Sequence, residues 1–99
     1  MKRLSIAIAI TALASVEAEA ALKGASLAGK AKVGLALARS KALRARPGRI
    51  TDQELERERG GSGLRYSFDI ASRGRTYEVG IDAVTGAVLE NAPEGAHPD

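Results

Sequence analysis

Ninety-nine residues with 15 Lys+Arg against 12 Asp+Glu allow one small domain. The absence of cysteine excludes disulfides, thiolate metal sites, a cysteine nucleophile and a lipid-modified cysteine. The formal net charge of +3 conceals a division. From Ala20 to Thr51 there are eight basic residues and no acid; from Asp52 onward there are ten acids and five arginines. A basic helix beside an acidic sheet edge would satisfy this pattern, and so would an anionic partner such as a lipid headgroup, an acidic protein surface or nucleic acid.

Met1-Lys2-Arg3 precedes an apolar run of eleven, Leu4 to Ala14, and Ala18-Glu19-Ala20 follows with small residues at the two positions a signal peptidase inspects. The run is shorter than the roughly 20 apolar residues of a permanent membrane span. Residues 1–20 therefore read as a secretory signal, cleaved after Ala20, with Val16-Glu17-Ala18 as a second motif. The expected location is periplasmic or secreted, with no stable membrane span after cleavage. Residues 21–32 are small, glycine-containing and basic, and read as a flexible lead-in.

Leu35, Ala38, Ala42 and Ala45 recur at spacings of three, four and three, one face of a helix over about residues 35–46. Gly34 stands at its N-cap, and Pro47-Gly48 ends it. Nearly every inward position is alanine, which lets the helix lie close to a sheet. In Arg49 to Arg59, Ile50 and Leu55 are five apart and cannot share a face of a regular strand. Either a bulge intervenes or pairing begins near Gln53, with Gln53, Leu55 and Arg57 facing one way and Glu54, Glu56 and Glu58 the other. The charge load suits a guarded edge strand.

Gly60-Gly61-Ser62-Gly63 reads as a hairpin turn; it lacks the lysine and following helix of a phosphate loop. Leu64, Tyr66, Phe68 and Ile70 then alternate with polar residues, as do Tyr77, Val79 and Ile81 after the tight turn Ser72-Arg73-Gly74. These strands hold every aromatic residue of the chain, so the core is expected between them and the helix. Asp82-Ala-Val-Thr-Gly86 precedes a last apolar pair, Val88-Leu89. Asn91 to Asp99 is expected to be a disordered tail.

The order of these pieces resembles the PepSY domain family over residues 33–90. The stretches that carry the resemblance are Val33-Gly-Leu35 opening a helix, Ala42-Leu-Arg-Ala-Arg-Pro-Gly48 closing it, Thr51-Asp-Gln-Glu-Leu-Glu56, Tyr66-Ser-Phe-Asp-Ile70, Tyr77-Glu-Val-Gly-Ile-Asp-Ala83 and Thr85-Gly-Ala-Val-Leu89. Asp82 and Thr85 can bond neighbouring amides in a turn, and Gly86 tolerates positive φ. The chain departs from the family pattern at Gly34, at Arg39 and Lys41, where larger apolar residues are common, and at Gly80. The resemblance implies an α+β fold: one N-terminal helix on an antiparallel sheet of three main strands and a short fourth. It also implies a bacterial module of peptidase propeptides and secreted proteins, proposed to be inhibitory.

No catalytic constellation is legible. His97, the one histidine, adjoins Pro98 near the end of the chain, and no serine has a histidine to activate it. No cofactor is expected. Glu54, Glu56 and Glu58 could join Asp69 or Glu78 around a hard cation, but pairing across strands with Arg65, Arg73 or Arg75 accounts for them more simply. The basic helix lacks the interleaved aromatics of a nucleic-acid surface. The expected function is a non-catalytic, exported interaction module that binds or restrains a peptidase or another envelope protein. Two partner surfaces are candidates: the edge with Gln53, Leu55 and Arg57, and the helix face with Arg39, Arg44 and Arg46. A small ligand or cation sensor and a self-associating envelope protein, for instance a homodimer, are the alternatives.

Overall fold

The computed structural model describes residues 20–95. The signal read over residues 1–20 lies outside the described residues except for Ala20, as do the last four residues of the expected tail, including His97. The elements are β1 (Leu22–Lys23), a 3-10 helix (Ala25–Lys30), α1 (Leu35–Ala45), β2 (Arg49–Arg57), β3 (Leu64–Ser72), β4 (Arg75–Asp82) and β5 (Val88–Pro93). One sheet runs in the order β1-β2-β3-β4-β5, with β1 parallel to β2 and every other pair antiparallel.

The α+β class and the helix on one face of an antiparallel sheet stand as expected; the strand count does not. The described residues form five strands. The lead-in contributes β1 and a 3-10 helix, whose pairing was invisible because two residues carry no periodicity. The fourth expected strand extends through Pro93, so Asn91, Ala92 and Pro93 belong to the sheet rather than to a tail. Backbone bonding outweighs the turn chemistry of Pro93, which sits at the end of an edge strand where a missing N–H is tolerated.

Alternation decides the inside of the sheet. Leu64, Tyr66, Phe68, Ile70, Val79 and Ile81 are buried together with Leu55, Val33, Ala38, Ala42 and Ala83. Tyr77, expected to be fully inside, is only half-buried because it lies beyond the end of the helix. Each fully buried large aliphatic or aromatic side chain contributes about 1.5–3 kcal/mol. The helix buries only Ala38 and Ala42, and Leu35, Leu43 and Ala45 pack partly against the core. Gly34 caps its start without a side-chain bond. The entry is held instead by the N–H groups of Lys32 and Val33, both donating to Ala83 O at 2.9 Å, and by Tyr66 Oη donating to Val33 O at 2.8 Å.

Of the two alternatives for the second strand, the bulge is the one present: pairing with β3 already begins at Arg49, not near Gln53. A register shift falls between Ile50 and Asp52, and Gln53 and Leu55 then turn inward while Glu54 and Glu56 turn outward. At the helix exit, a Cβ on Gly48 would run into Ala71 O. Only glycine lets the turn lie so close to the β3–β4 hairpin.

Candidate interaction site

The glycine-rich turn and the Asp-Ala-Val-Thr-Gly stretch form one unit. Asp82 is fully buried. Its Oδ1 accepts from Ser62 Oγ at 2.7 Å, Val84 N at 2.8 Å and Thr85 N at 3.1 Å, and its Oδ2 accepts from Ser62 N at 2.7 Å. Burial alone would raise its pKa. These bonds outweigh the burial and hold the carboxyl well below the usual carboxylate range. The bonds within the turn were legible; the reach to Ser62 was not, because it joins loops twenty residues apart.

The outer face of the sheet, away from the helix, collects acids. By register and by mutual repulsion Asp52, Glu54, Glu56, Glu58, Asp69, Glu78, Glu90 and Glu94 share it, so Asp82 is the one acid among the described residues that is not there. Burial and the neighbouring Glu56 raise the pKa of Glu54, and a bond to Glu56 followed by burial raises that of Glu58. Burial first, then Glu94 and Asp52, raises Asp69; burial, then Glu90, raises Glu78. Glu90 and Glu94 escaped sequence reading because they fell at or beyond the boundary of the expected tail.

Two cations enter this face. Lys23 Nζ meets Asp52 Oδ2 at 3.0 Å. Arg65 is 7 % exposed; its Nη2 donates to Arg59 O at 2.9 Å and its Nε lies 3.9 Å from Glu58 Oε2. Its stem crosses Gly80, where an added Cβ would stand 3.3 Å from Nη1. Gly80, a departure from the family pattern, thus makes room for the arginine. Arg73 and Arg75 do not pair with the glutamates; they stand at the β3–β4 turn, and Arg75 faces Tyr77 on the helix side. Among the described residues, no three carboxylates are grouped to hold a metal ion.

The residues singled out from sequence fall in different places. Gln53 and Leu55 are buried and Arg57 is exposed. The edge beside them is covered, since Leu22 and Lys23 pair with Gln53 and Glu54, Gln53 Nε2 donates to Ala20 O, and Gly24 lies on Leu55 O. On the helix, Arg39 Nη1 donates to Gln53 Oε1 at 2.6 Å, Arg44 lines a cleft with Lys41 and Val88, and Arg46 stacks on Tyr77 with 3.8 Å from Cζ to the ring centroid. The three arginines therefore diverge toward β2, β5 and the helix exit.

A helix laid across one face of a small, mostly antiparallel sheet, with charge gathered on its surfaces, defines a small α+β domain. The chain belongs to the PepSY family, described as peptidase propeptide and YPEB domain, whose model matches residues 32–91. PepSY domains are generally non-catalytic propeptide or regulatory modules and are typically extracellular or periplasmic. No curated protein and no solved structure matches the chain significantly. Among the described residues no helix is long and apolar enough to cross a membrane.

Proposed function

We infer that this chain is an exported, non-catalytic PepSY module that binds and restrains a peptidase or another envelope protein through charge-directed docking. The observation that carries this reading is the separation of charge by layer: eight carboxylates on the outer sheet face, and Arg39, Lys41, Arg44 and Arg46 on the helix layer. Like charges held together on one face oppose folding, and an oppositely charged partner relieves that repulsion. Cleavage after Ala20 is part of the proposal. It would start the mature chain just before β1 and remove the carbonyl that accepts from Gln53 Nε2.

Two contacts are compatible with this role. An extended peptide could add beside β2, displacing Leu22 and Lys23 or pairing beyond them. Alternatively, the charged faces dock without strand pairing. Capture from an envelope extract at about 0.1 M and about 1 M salt separates the two, because exposed charge pairs are screened over about 3 Å at the higher concentration. A peptidase or other envelope protein retained at low salt, released at high salt and lost from a Glu54→Gln, Glu56→Gln, Glu58→Gln variant or an Arg39→Gln, Arg44→Gln, Arg46→Gln variant supports charge-directed docking. Retention of the same protein at both salts by all three chains would replace it with strand addition. Turnover of a substrate by the purified chain would overturn the non-catalytic reading.

A further inference from the structure

At the helix exit, Arg46, Pro47, Ser72, Arg73 and Tyr77 line a cleft of about 280 Å³. We propose that this cleft is a binding site for a single oxyanion, a carboxylate or a phosphate, held by the guanidinium groups of Arg46 and Arg73 with Arg75 alongside. The site does not depend on which protein the module restrains.

Three observations converge on it. First, the cations lack counter-ions: among the described residues none of Arg46, Arg73 and Arg75 makes an ion pair. The carboxylates nearest in sequence, Glu78 and Glu94, belong by register to the opposite face of the sheet. Secondly, Arg46 is already held in place. Its guanidinium lies on the Tyr77 ring at 3.8 Å, and its Nε donates to Asn91 Oδ1 at 3.1 Å. Both terminal nitrogens remain to bind an acceptor, and a fixed arginine fork matches the paired oxygens of carboxylate or phosphate.

The third observation is the backbone of Arg73. Among the described residues it is the one non-glycine with positive φ, at 51°, in a two-residue hairpin turn whose second residue, Gly74, has φ 77°. Such a turn favours asparagine, aspartate or glycine at its first position. Arginine there is a strained choice that no contact within the fold explains, and strain of this kind gathers where a ligand is held. The helix end does not repel an anion strongly. Asn91 Nδ2 donates to Ala45 O at 3.1 Å and Ser72 Oγ to Pro47 O at 2.8 Å, so two of the exposed carbonyls are already engaged. A cleft of this volume has room for one oxyanion and a short stem.

The test is a titration of the full, isotope-labelled chain at constant ionic strength, following the arginine Nε–Hε signals by NMR. Two probes are used: inorganic phosphate, and N-acetyl-glutamate amide as the carboxylate a protein would present. Saturable shifts at millimolar or lower concentration, confined to Arg46, Arg73 and Arg75, are expected with at least one probe. Saturation by phosphate alone assigns a free oxyanion, and saturation by the glutamate derivative assigns a protein carboxylate. The variant Arg73→Gly keeps the turn and should melt at or above the parent's temperature while binding at least tenfold more weakly. Shifts that do not saturate, that spread equally to Arg57 and Arg59, or that persist at full affinity in Arg73→Gly would overturn the proposal.

Discussion

Replacement of Asp82 tests whether the fold is clipped together at its loops. Asp82→Ala leaves the backbone N–H groups of Ser62, Val84 and Thr85 without the acceptor they now share. A buried donor left unsatisfied costs about 1–3 kcal/mol. Because Ser62, Val84 and Thr85 are themselves exposed, water can reach part of this loop, and the low end applies to each. The three together put the loss at about 3 kcal/mol or more, a large share of the roughly 5–15 kcal/mol that holds an ordinary domain. Asp82→Asn separates charge from shape: its carbonyl can keep the three bonds of Oδ1, but its amide then faces the Ser62 N–H, donor against donor. That variant should lose about 1.5–3 kcal/mol, the value of one hydrogen bond to a charged group. Urea unfolding followed by circular dichroism at neutral pH measures both. If Asp82→Ala unfolds within about 0.5 kcal/mol of the parent, the ordinary spread for surface substitutions, the carboxylate does not clip the two loops together.

Phe68 is fully buried and stacks at 6.2 Å on Tyr66; Phe68→Ala should cost about 3–5 kcal/mol, and a melting temperature within a degree or two of the parent would contradict its central place. Arg73→Gly, by releasing the positive φ, should raise stability by about 1 kcal/mol, read as an upward shift in the urea midpoint. Stability should also depend on pH with two opposite signs. Glu54, Glu58, Asp69 and Glu78 have raised pKa values in the folded chain, so folding gains as pH falls through those values toward the ordinary 4.5 of glutamate and 3.8 of aspartate. Asp82 is depressed, so its contribution is present above pH 3.8 and is lost as pH falls through its folded value. Urea midpoints measured from pH 7 downward should rise into mild acid and then fall; a monotonic decline from pH 7 would refute the upward shift of the outer-face carboxylates by burial and neighbouring acids.

The sequence was most legible where side chains alternate. Leu64 to Ile70 and Tyr77 to Ile81 have one buried face, and a one-residue slip would expose all of it, so their register follows from hydrophobicity alone. The helix was legible for the same reason, through Leu35, Ala38, Ala42 and Ala45, and Pro47-Gly48 marked its end. What escaped depends on contacts distant in sequence. Nothing in Leu22-Lys23 announces that it pairs with residues 53 and 54, because two residues cannot show a period. The extension of the last strand through Pro93 is set by bonds to β4, while the local residues favour a turn. At the candidate surfaces, sequence separated basic and acidic halves of the chain. Only the fold shows that the acids gather on the sheet face opposite the helix, and that Arg39, Arg44 and Arg46 point to three different neighbours.

That separation follows from the strand pattern itself. An antiparallel sheet covered by a helix on one side leaves alternate residues of every strand facing outward, and here those positions are filled mainly by carboxylates. A sheet face needs polar residues but not residues of one sign; mixed charges would pair across strands and add stability. Burial first, and the neighbouring acids after it, push the pKa of Glu54, Asp69 and Glu78 up, and a bond to Glu56 followed by burial does so for Glu58, so ionising these carboxylates works against the fold. Arg65 does not correct it, since its guanidinium is drawn to Arg59 O and Glu58 at one end of the face. The opposite layer has the same one-sidedness in the other sign, and among the described residues Arg46, Arg73 and Arg75 at the helix exit make no ion pair. Two layers of predominantly one sign in one small domain are a cost that local stability does not explain. The charge-directed docking proposed above would offset that cost on either face separately, and it makes salt and pH the two variables to which binding should respond most strongly.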